Sequence, residues 1–592
     1  MANGRPEDLP GNEELSDYGG AHDLASLCGV GVCRTAAAAV IAILVASSGI
    51  EATAQQVPPT AEPSRIEKQF EAPPVPKAME EPVVPETERP LPPAEAKKIR
   101  FTLTGLVVEG STVYDDKDFL PFYEKHLGKE VSLALIYDVA ATISAEYRND
   151  GYILSRAVVP PQRIRNGIVH LKTIEGFIHT VFIEGDVQGP VRLLRAYADK
   201  IAQSRPLRAG TLERYLLLAG DLSGVTAKGV LTPSPEVTGA SDLVVIVDHA
   251  KANGFVSFDN RGNRFVGPMQ GGIGANLNST LGLYERFGVR FIGATQTEEL
   301  KFFEATFDKP LGTEGTKLTL TYSRIFSEPG FTLKPLDVES TNTTVKVALS
   351  HALIRSRGEN LTLQAKLIYR NSNTNLLSTK LSEDRIRSAG LEMTYDFVDR
   401  FRGVNLIDLK VSRGLDILNE TTSGSADLTR ALGKSDFTKV TTELSRLQQL
   451  SGNFTVLAVA TGQWAADELL ASEEFGAGGA RFGRAYDASE TTGDHGAAGL
   501  LELQYGRSIQ HSFFQGFQLY GFYDYGATWR KTPGANEPRR QTLASAGFGL
   551  RYNLTRGISG YVEVAKPLTR SVSSRGNEGD DRRVFFSLAK RF

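Results

Sequence analysis

Cysteine is nearly absent from this sequence. Its 592 residues include two cysteines, Cys28 and Cys33, both near the N-terminus, and no second pair is present to complete a zinc site. If this N-terminal segment is removed, the mature protein contains no thiol. It then needs neither disulfide bonds nor thiol chemistry in an oxidising compartment.

The sequence also lacks an excess of charge of one sign and any signature of catalysis. Its formal net charge is −3 and no run of lysine or arginine forms a basic stripe, so nothing indicates nucleic-acid binding. His495 follows Asp494, but no serine or cysteine nucleophile motif accompanies them. The glycines from Gly476 to Gly479 are not followed by the Lys-Ser/Thr pair of a phosphate loop. We therefore expect no enzyme, no cofactor and no metal site.

Long hydrophobic runs are equally scarce. The longest, Ala36 to Ala46, is too short to cross a membrane, since a spanning helix takes ~20 residues. Arg34 precedes it, and the small-x-small site Ala52-Thr53-Ala54 follows it. This pattern predicts a signal peptide at residues 1–54. A buried core helix is the alternative, but the next segment offers no face to pack against it.

That next segment, residues 55–99, is rich in proline, glutamate and alanine. Its composition predicts an extended, poorly packed linker. One island within it, Ser64 to Glu71, can form two helical turns.

Residues 100–248 contain two copies of one plan, in which a strand is followed by two helices and two strands. In the first copy, a strand is predicted from Phe101 to Glu109 and a helix from Ser132 to Asn149. Apolar residues recur on this helix at helical spacing and predict one buried face: Leu135, Val139, Ile143 and Tyr147. Each copy is expected to form a small mixed sheet with helices on one face. The two domains are assigned to residues 100–176 and 177–250.

Residues 251–592 form sixteen short segments in which apolar and polar residues alternate, as from Leu361 to Tyr369. Period two places the two sets on opposite faces of a strand. A β-sandwich would also alternate, but here the polar face carries many charges and the connections alternate in length. Long loops on one side and tight turns on the other are typical of a barrel in the bacterial outer membrane. Long connections are predicted at 325–342, 371–387, 413–437, 462–496, 526–542 and 568–582.

The chain ends in a strand with an aromatic face. Val584, Phe586, Leu588 and Phe592 share that face. A last strand with a terminal aromatic residue resembles the signal that outer-membrane barrels present to their assembly machinery, and we expect Phe586, Leu588 and Phe592 to form it. The alternative is a buried edge strand of a soluble sheet.

Together these segments resemble the two-partner secretion transporters, the outer-membrane family that exports haemolysins and filamentous adhesins. The resemblance implies a mainly β fold, with two small α+β POTRA (polypeptide-transport-associated) domains before a 16-stranded transmembrane β-barrel. Tyr147 to Tyr152, followed by Val159-Pro160-Pro161-Gln162, is similar to the first POTRA unit, and Gly167 to Gly176 is similar to its closing strand. An N-terminal helix plugs the barrel in relatives, which suggests this role for residues 64–71.

The most specific part of the resemblance lies between segments eleven and twelve, from Gly478 to Asp487. In the family, the sixth extracellular loop folds back into the barrel, and an arginine at its tip pairs with an aspartate in a Gly-Phe-x-Asp-x-Gly strand of the wall. The resemblance implies that Arg484 pairs with Asp524. It places Gly483, Ala485 and Tyr486 at the loop tip and Gly521, Phe522 and Gly526 on the wall.

Physical chemistry supports such a pair, because a guanidinium–carboxylate contact can be bidentate and stays charged at any relevant pH. From spacing alone, a solvated Arg484 and an ordinary lumen-facing Asp524 remain the alternative. Ala485 stands where the family usually has glycine, and alanine would be strained there if the tip required positive φ.

The resemblance implies an outer-membrane transporter with periplasmic POTRA domains. These domains would bind an unfolded exoprotein, and the barrel would export it. The implied partners are a large exoprotein, β-helical once folded, the lipid of the outer membrane, and the barrel assembly machinery during biogenesis. An assembly factor of the same superfamily is the alternative, although it usually carries more repeats. A general porin would have no reason for two periplasmic repeats.

Overall fold

The computed structural model describes residues 57–79, 94–187, 191–509, 511–534, 537–578 and 582–592. The predicted signal peptide and residues 80–93 of the predicted linker lie outside this part of the chain. The first helix, α1, spans Pro63–Gln69 after a 3-10 turn at Pro59–Ala61. A proline at the start of a helix costs no hydrogen bond, because the first N–H groups have no partner within the helix. Helix α1 covers most of the island predicted at 64–71.

The first α+β domain is organised around helix α3 (Leu133–Asn149), whose buried face includes Val139, Ile143 and Tyr147. Burial raises the pKa of Tyr147 to about 12, so its hydroxyl stays protonated and donates to Glu175 at 2.9 Å. A three-stranded sheet has the order β2-β5-β4, with one parallel and one antiparallel pairing, and is mixed as predicted. The elements are β1 (Arg100–Thr102), β2 (Gly105–Glu109), α2 (Asp116–Tyr123), β3 (Glu130–Ser132), α3 (Leu133–Asn149), β4 (Arg156–Val158) and β5 (Ile168–Ile174).

The single strand predicted from Phe101 to Glu109 is wrong, because the chain forms two strands there. Strand β1 pairs with β3, and β2 pairs with β5. The exchange of partners occurs at two residues: the N–H of Leu103 donates to the Lys129 carbonyl at 3.0 Å, and that of Thr104 donates to the Gly167 carbonyl at 2.9 Å. Sequence periodicity does not reveal a change of pairing partner, so it predicted one continuous strand.

The second α+β domain repeats the plan with the sheet order β6-β8-β7. Its core contains Tyr197, Leu218 and Leu243, together with Tyr284, which belongs to a turn of the barrel. This insertion joins the domain to one end of the barrel, here called the near end. The elements are β6 (Phe177–Gly185), α4 (Val191–Ala202), α5 (Ala209–Gly220), β7 (Val225–Pro233) and β8 (Ala240–His249).

An ion pair and a hydrogen bond strengthen the contact between the second domain and the barrel. Arg355, near the end of a barrel strand, binds both carboxylate oxygens of Asp221, at 2.8 and 3.0 Å. Arg214 donates from its guanidinium to the carbonyl of Ala352 at 2.9 Å. The second domain is therefore fixed on the near end by apolar and charged contacts together.

The rest of the chain forms a closed barrel of sixteen antiparallel strands, which confirms the predicted number. Strand β9 closes it by pairing with both β10 and β26. The strands are β9 (Ala252–Asp259), β10 (Gln270–Asn278), β11 (Arg286–Ala294), β12 (Lys301–Leu311), β13 (Thr316–Ser327), β14 (Val338–Arg355), β15 (Glu359–Leu376), β16 (Thr379–Val398), β17 (Gly403–Gly414), β18 (Thr438–Gln449), β19 (Phe454–Ala465), β22 (His495–Ser508), β23 (Phe514–Trp529), β24 (Arg540–Leu554), β25 (Ile558–Pro567) and β26 (Arg583–Arg591).

The two faces of the barrel differ in polarity. Leu367, Leu391 and Phe548 are exposed on the outer face, whereas Arg370 and Asp408 are buried on the inner face. An apolar exterior around a polar interior is the arrangement expected for a barrel in a lipid bilayer. In the described part of the chain, no helix has the length and apolar character needed to cross a membrane.

The long connection predicted at 371–387 is wrong. Strands β15 and β16 continue through this stretch, and only Leu377 and Ser378 form the turn, both with positive φ (48° and 62°). The sequence from Asn371 to Asn375 is polar at every position, so it lacks the alternation of a strand between lipid and lumen. A strand that extends beyond the lipid has polar surroundings on both faces, and period two therefore does not detect it.

Candidate functional site

A long loop, L6 (466–494), enters the lumen between strands β19 and β22. It carries two short strands, β20 (Phe475–Ala477) and β21 (Thr491–Gly493), which pair with each other. Wall glycines allow the loop to approach closely: a Cβ on Gly526 would lie 2.8 Å from the Ala477 Cβ. The loop therefore lies against the barrel wall and is buried there.

Arg484 at the tip of L6 and Asp524 on β23 form a buried ion pair. The Arg484 Nη2 lies 3.1 Å from Asp524 Oδ1, and its Nε lies 3.2 Å from Oδ2. The main-chain N–H of Arg484 also donates to Oδ2, at 2.9 Å. The side chains are 4% and 0% exposed. The pair is bidentate and almost fully buried, a geometry that fixes the loop tip in position and orientation.

Two further carboxylates surround the same guanidinium group. Arg484 Nη1 donates to Glu502 at 2.6 Å and lies 3.4 Å from Glu563. Each of these carboxylates binds a second arginine: Arg551 donates to Glu502 at 2.6 Å, and Arg261 donates to Glu563. With Asp524, three carboxylates thus face three guanidinium groups, and the charge of the cluster is balanced. A buried cluster is stable only when its charges are paired in this way.

Sequence reasoning missed Glu502, Glu563, Arg551 and Arg261. The first three lie at inward positions of alternating strands, so a search for charged residues on the polar face of each strand would have found them. Arg261 gives no such signal. It follows the first barrel strand and reaches Glu563 only because the barrel closes.

The remaining tip residues fold tightly around this pair. Gly483 has positive φ (84°), whereas Ala485 is not in the left-handed region. The strain considered for alanine at this position therefore does not arise. Ala485 is fully buried, and its carbonyl accepts from Arg583 at 2.9 Å. The Tyr486 hydroxyl donates to the Ala544 carbonyl at 3.1 Å.

On the wall, the Phe522 ring lies under the Arg484 guanidinium, 3.5 Å from its Cζ to the ring centroid. A cation above an aromatic face is a favourable arrangement. Gly526 is required by the approach of L6, but Gly521 faces outward, where a Cβ would meet only an ordinary contact at 3.9 Å. The wall motif thus contributes Phe522, Asp524 and Gly526 to the site.

The base of L6 has a separate anchor. The Asp494 carboxylate accepts from the N–H of Leu469 at 2.7 Å and from Arg430 at 2.6 Å. Arg430 belongs to the preceding long loop, L5 (415–437), at the end of the barrel opposite the near end. Further along L6, Glu473 binds Arg370 and Lys439 of the wall, each at 2.6 Å.

Helix α1 lies inside the lumen beside L6. Its Arg65 forms an ion pair with Glu474 of L6. On the wall, Glu67 accepts from Asn342 Nδ2 at 2.7 Å and from Thr344 Oγ1 at 2.8 Å. The helix and the loop together occupy the lumen. Polar contacts hold both segments, and L6 also packs an apolar cluster against the wall, in which Phe475 and Phe482 meet Leu543.

The last strand, β26, closes the barrel against β9. Val584, Leu588 and Phe592 are exposed on its outer face, and the Phe592 N–H donates to the Gly254 carbonyl at 2.9 Å. Phe586 is partly buried and packs 6.0 Å from Phe258, measured between ring centroids. The strand is thus paired on both sides, and its apolar side chains face outward. Its function as an assembly signal stays a prediction.

Comparison with protein families gives two matches. The family described as haemolysin secretion/activation protein ShlB/FhaC/HecB matches residues 239–552, which are more than half of the chain. The family described as POTRA domain, ShlB-type, matches residues 101–176, the first α+β domain. The larger match includes L6, Arg484 and Asp524.

Known relatives and solved structures agree with these matches. The heme/hemopexin transporter protein HuxB of Haemophilus influenzae (strain 86-028NP) is 22% identical over 476 residues, which cover 79% of this chain and 83% of that protein. The outer membrane transporter CdiB of Dickeya dadantii (strain 3937) is 25% identical over 429 residues, covering 68% and 72%. The solved structure of CdiB from Escherichia coli has a TM-score of 0.69 and 19% identity, covering 96% of this chain and 100% of that one. The similarity to this structure shows a shared fold.

Proposed function

The chain belongs to the haemolysin secretion/activation protein family ShlB/FhaC/HecB, and we propose that it receives one unfolded exoprotein through its two α+β domains and exports it through its barrel. The chain is an outer-membrane transporter of the two-partner secretion type. Its barrel lies in the outer membrane, and its POTRA domains lie in the periplasm. The near end of the barrel is therefore periplasmic, and L5 and L6 start from the extracellular end.

The observation that carries this proposal is the polar packing of the lumen. Helix α1 and L6 fill it, and hydrogen bonds and ion pairs hold them to the wall. A neutral hydrogen bond exchanges with a bond to water at a net cost of roughly 0.5–1.5 kcal/mol, whereas a buried ion pair costs more to separate. The segments can leave the wall one contact at a time. L6 also packs an apolar cluster against the wall, and this cluster adds to the free energy needed to move the loop. The barrel is thus built as a channel that its own segments close reversibly.

The sheets of the α+β domains offer a docking mode for an unfolded chain. Within the described residues, β6 and β7 each pair with β8 alone, so each leaves one edge open. An open edge can add a strand of a partner through main-chain hydrogen bonds, which gives affinity without a defined sequence. The proposed partner is a large protein that becomes β-helical outside the cell. Its folding there would pull the following chain forward.

The proposed role of Arg484 and Asp524 is to return L6 to the wall after each passage. The tip must leave the wall while a chain occupies the lumen. A buried, bidentate pair provides one defined resting position to which the loop returns.

A deletion strain of the source bacterium tests the function. Its secretome and outer-membrane proteome are compared with those of the parent strain. The proposal predicts selective loss of one or two large exoproteins from the medium, with other outer-membrane barrels at normal levels. A broad fall in outer-membrane barrels without loss of a specific exoprotein would contradict it and favour an assembly factor.

A further inference from the structure

The segment that follows helix α1 leads down the lumen towards the near end. At its start, the Phe70 carbonyl accepts from Arg290 at 3.0 Å, and Glu71 pairs with Lys346. At its end, the Met79 N–H donates to the Arg357 carbonyl in the turn between β14 and β15, at 2.7 Å. Residues 70–79, here called the tether, are therefore a polypeptide already held along the route that an exported chain would take.

The tether is bound at the near end through its main chain, and the side chain of Lys77 adds a longer ion pair with Asp221, at 3.6 Å. The N–H groups of Lys77 and Ala78 donate to Asp396 Oδ2, at 3.0 and 2.6 Å. With the bond from Met79, three successive amides are bound to the barrel. None of these three bonds involves a side chain of the tether, so this contact does not depend on which side chains the bound chain carries.

The sequence of the tether agrees with binding through main-chain N–H groups. Prolines stand at Pro73, Pro74 and Pro76, and the three residues that donate follow directly without a proline. Proline has no N–H, so a proline at any of the three positions would remove a bond. The donors thus lie in the part of the tether that is free of proline.

A series of hydrogen bonds connects Asp396 to the second POTRA domain. Asn360 donates to Asp396 Oδ2 at 3.0 Å and accepts from Arg355 at 2.9 Å. Arg355 in turn binds both carboxylate oxygens of Asp221, which belongs to the second POTRA domain. Asp396 and Asn360 are 3% and 2% exposed. A carboxylate fixed in this way is prepared to accept N–H groups, and its bonds to them are stronger than neutral ones.

We propose that Asp396 and the Arg357 carbonyl form a binding site for the backbone of an unfolded polypeptide, occupied at rest by the tether and taken over by the arriving exoprotein. This inference rests on the proposed function. The site lies next to the POTRA domain that delivers the chain, and any segment with three free successive amides offers the same donors. Displacement of the tether then removes the near-end attachment of α1, so arrival of the exoprotein favours release of the plug.

Two substitutions separate this site from a simple attachment for the tether. Ala78→Pro removes a donor of the tether and leaves the barrel wall unchanged. Asp396→Ala removes the acceptor for the tether and for the exoprotein alike. Both should raise the ion conductance of the purified full-length protein in planar bilayers, because both weaken the tether. Ala78→Gly keeps the N–H and serves as the matched control.

Export is then measured for the exoprotein that the deletion strain fails to release. The proposal predicts that Ala78→Pro exports at least as much as the unsubstituted protein, while Asp396→Ala exports about tenfold less, as expected for one lost charge-assisted contact. Equal export by the two variants, at any level, would overturn the proposal. If Asp396→Ala does not assemble, Asp396→Asn is used, because it retains the shape of the side chain and loses its charge. Absence of any such exoprotein would count against the proposed function itself.

Discussion

At the residue scale, the position of Arg484 is set by more than one partner. Arg484 donates to Asp524 from two side-chain nitrogens and from its main-chain N–H. The remaining terminal nitrogen of Arg484 donates to Glu502 at 2.6 Å. Removal of the arginine leaves three buried carboxylates with two guanidinium groups, Arg261 and Arg551. An unpaired buried charge costs ~3–5 kcal/mol, which is enough to displace the tip from the wall.

Arg484→Ala and Asp524→Ala are therefore expected to lower export at least about tenfold, because L6 loses its defined resting position. The barrel should still assemble, since these side chains take no part in the pairing of the strands. Export is measured as the amount of exoprotein in the medium, and assembly as the amount of folded barrel in the outer membrane.

Arg481→Ala is the matched control for this prediction. Arg481 lies three residues before Arg484, pairs with Glu443 and is 39% exposed, so its loss should change export little. Export at the unsubstituted level by both Arg484→Ala and Asp524→Ala would exclude the proposed role of the pair.

The sequence predicted part of this site because Arg484 and Asp524 lie in recognisable motifs. Glu502 and Glu563 required knowledge of the direction in which each strand faces, which period two provides only once the strand boundaries are known. Arg261 was beyond prediction. Its contact with Glu563 spans 302 positions and depends on closure of the barrel.

At the element scale, α1 occupies the lumen and contacts the wall through polar groups, and its role as a plug is a proposal. Glu67 is its central wall contact: it accepts from Ser323, Asn342 and Thr344. Gln69, two residues further on, is exposed. Substitution of these two residues therefore compares a position of the helix that contacts the wall with one that is exposed.

Glu67→Ala should raise the fraction of time that the channel is open in planar bilayers by about tenfold, because its buried donors lose a charged acceptor. Gln69→Ala should leave the conductance unchanged. Deletion of residues 64–71 should raise the conductance further. Unchanged conductance after this deletion would show that α1 does not plug the lumen.

The sequence predicted most elements but not all of their limits. Alternation revealed sixteen strands because lipid and lumen impose opposite polarity on the two faces. It failed at β15 and β16, whose polar ends extend beyond the lipid and do not alternate in polarity. It also failed where the first POTRA strand exchanges pairing partners at Leu103, since the residue pattern does not depend on which strand lies alongside.

At the scale of the whole molecule, contacts connect the POTRA domains with the lumen. Asp221 of the second domain binds Arg355, which binds Asn360, which binds Asp396 at the tether. The tether joins α1, and α1 pairs with L6 through Arg65 and Glu474. The second POTRA domain is therefore connected by direct contacts to the segments that occupy the lumen. No sequence pattern predicted this chain of contacts, because each of its links joins separate elements.

The exoprotein is proposed to pass through the lumen that α1 occupies. The most direct test attaches α1 to the wall in a chain without Cys28 and Cys33. The substitutions Glu67→Cys and Asn342→Cys replace two side chains that are hydrogen-bonded, with Asn342 Nδ2 lying 2.7 Å from Glu67 Oε2. A short, reducible bifunctional thiol reagent joins them, and export of the exoprotein is measured before and after reduction. Glu67→Cys alone, treated in the same way, is the control.

The joined variant should lose export, and reduction should restore export to the level of the control. Undiminished export by the joined variant would exclude this route, because it would show that the exoprotein leaves the cell without passing through this lumen.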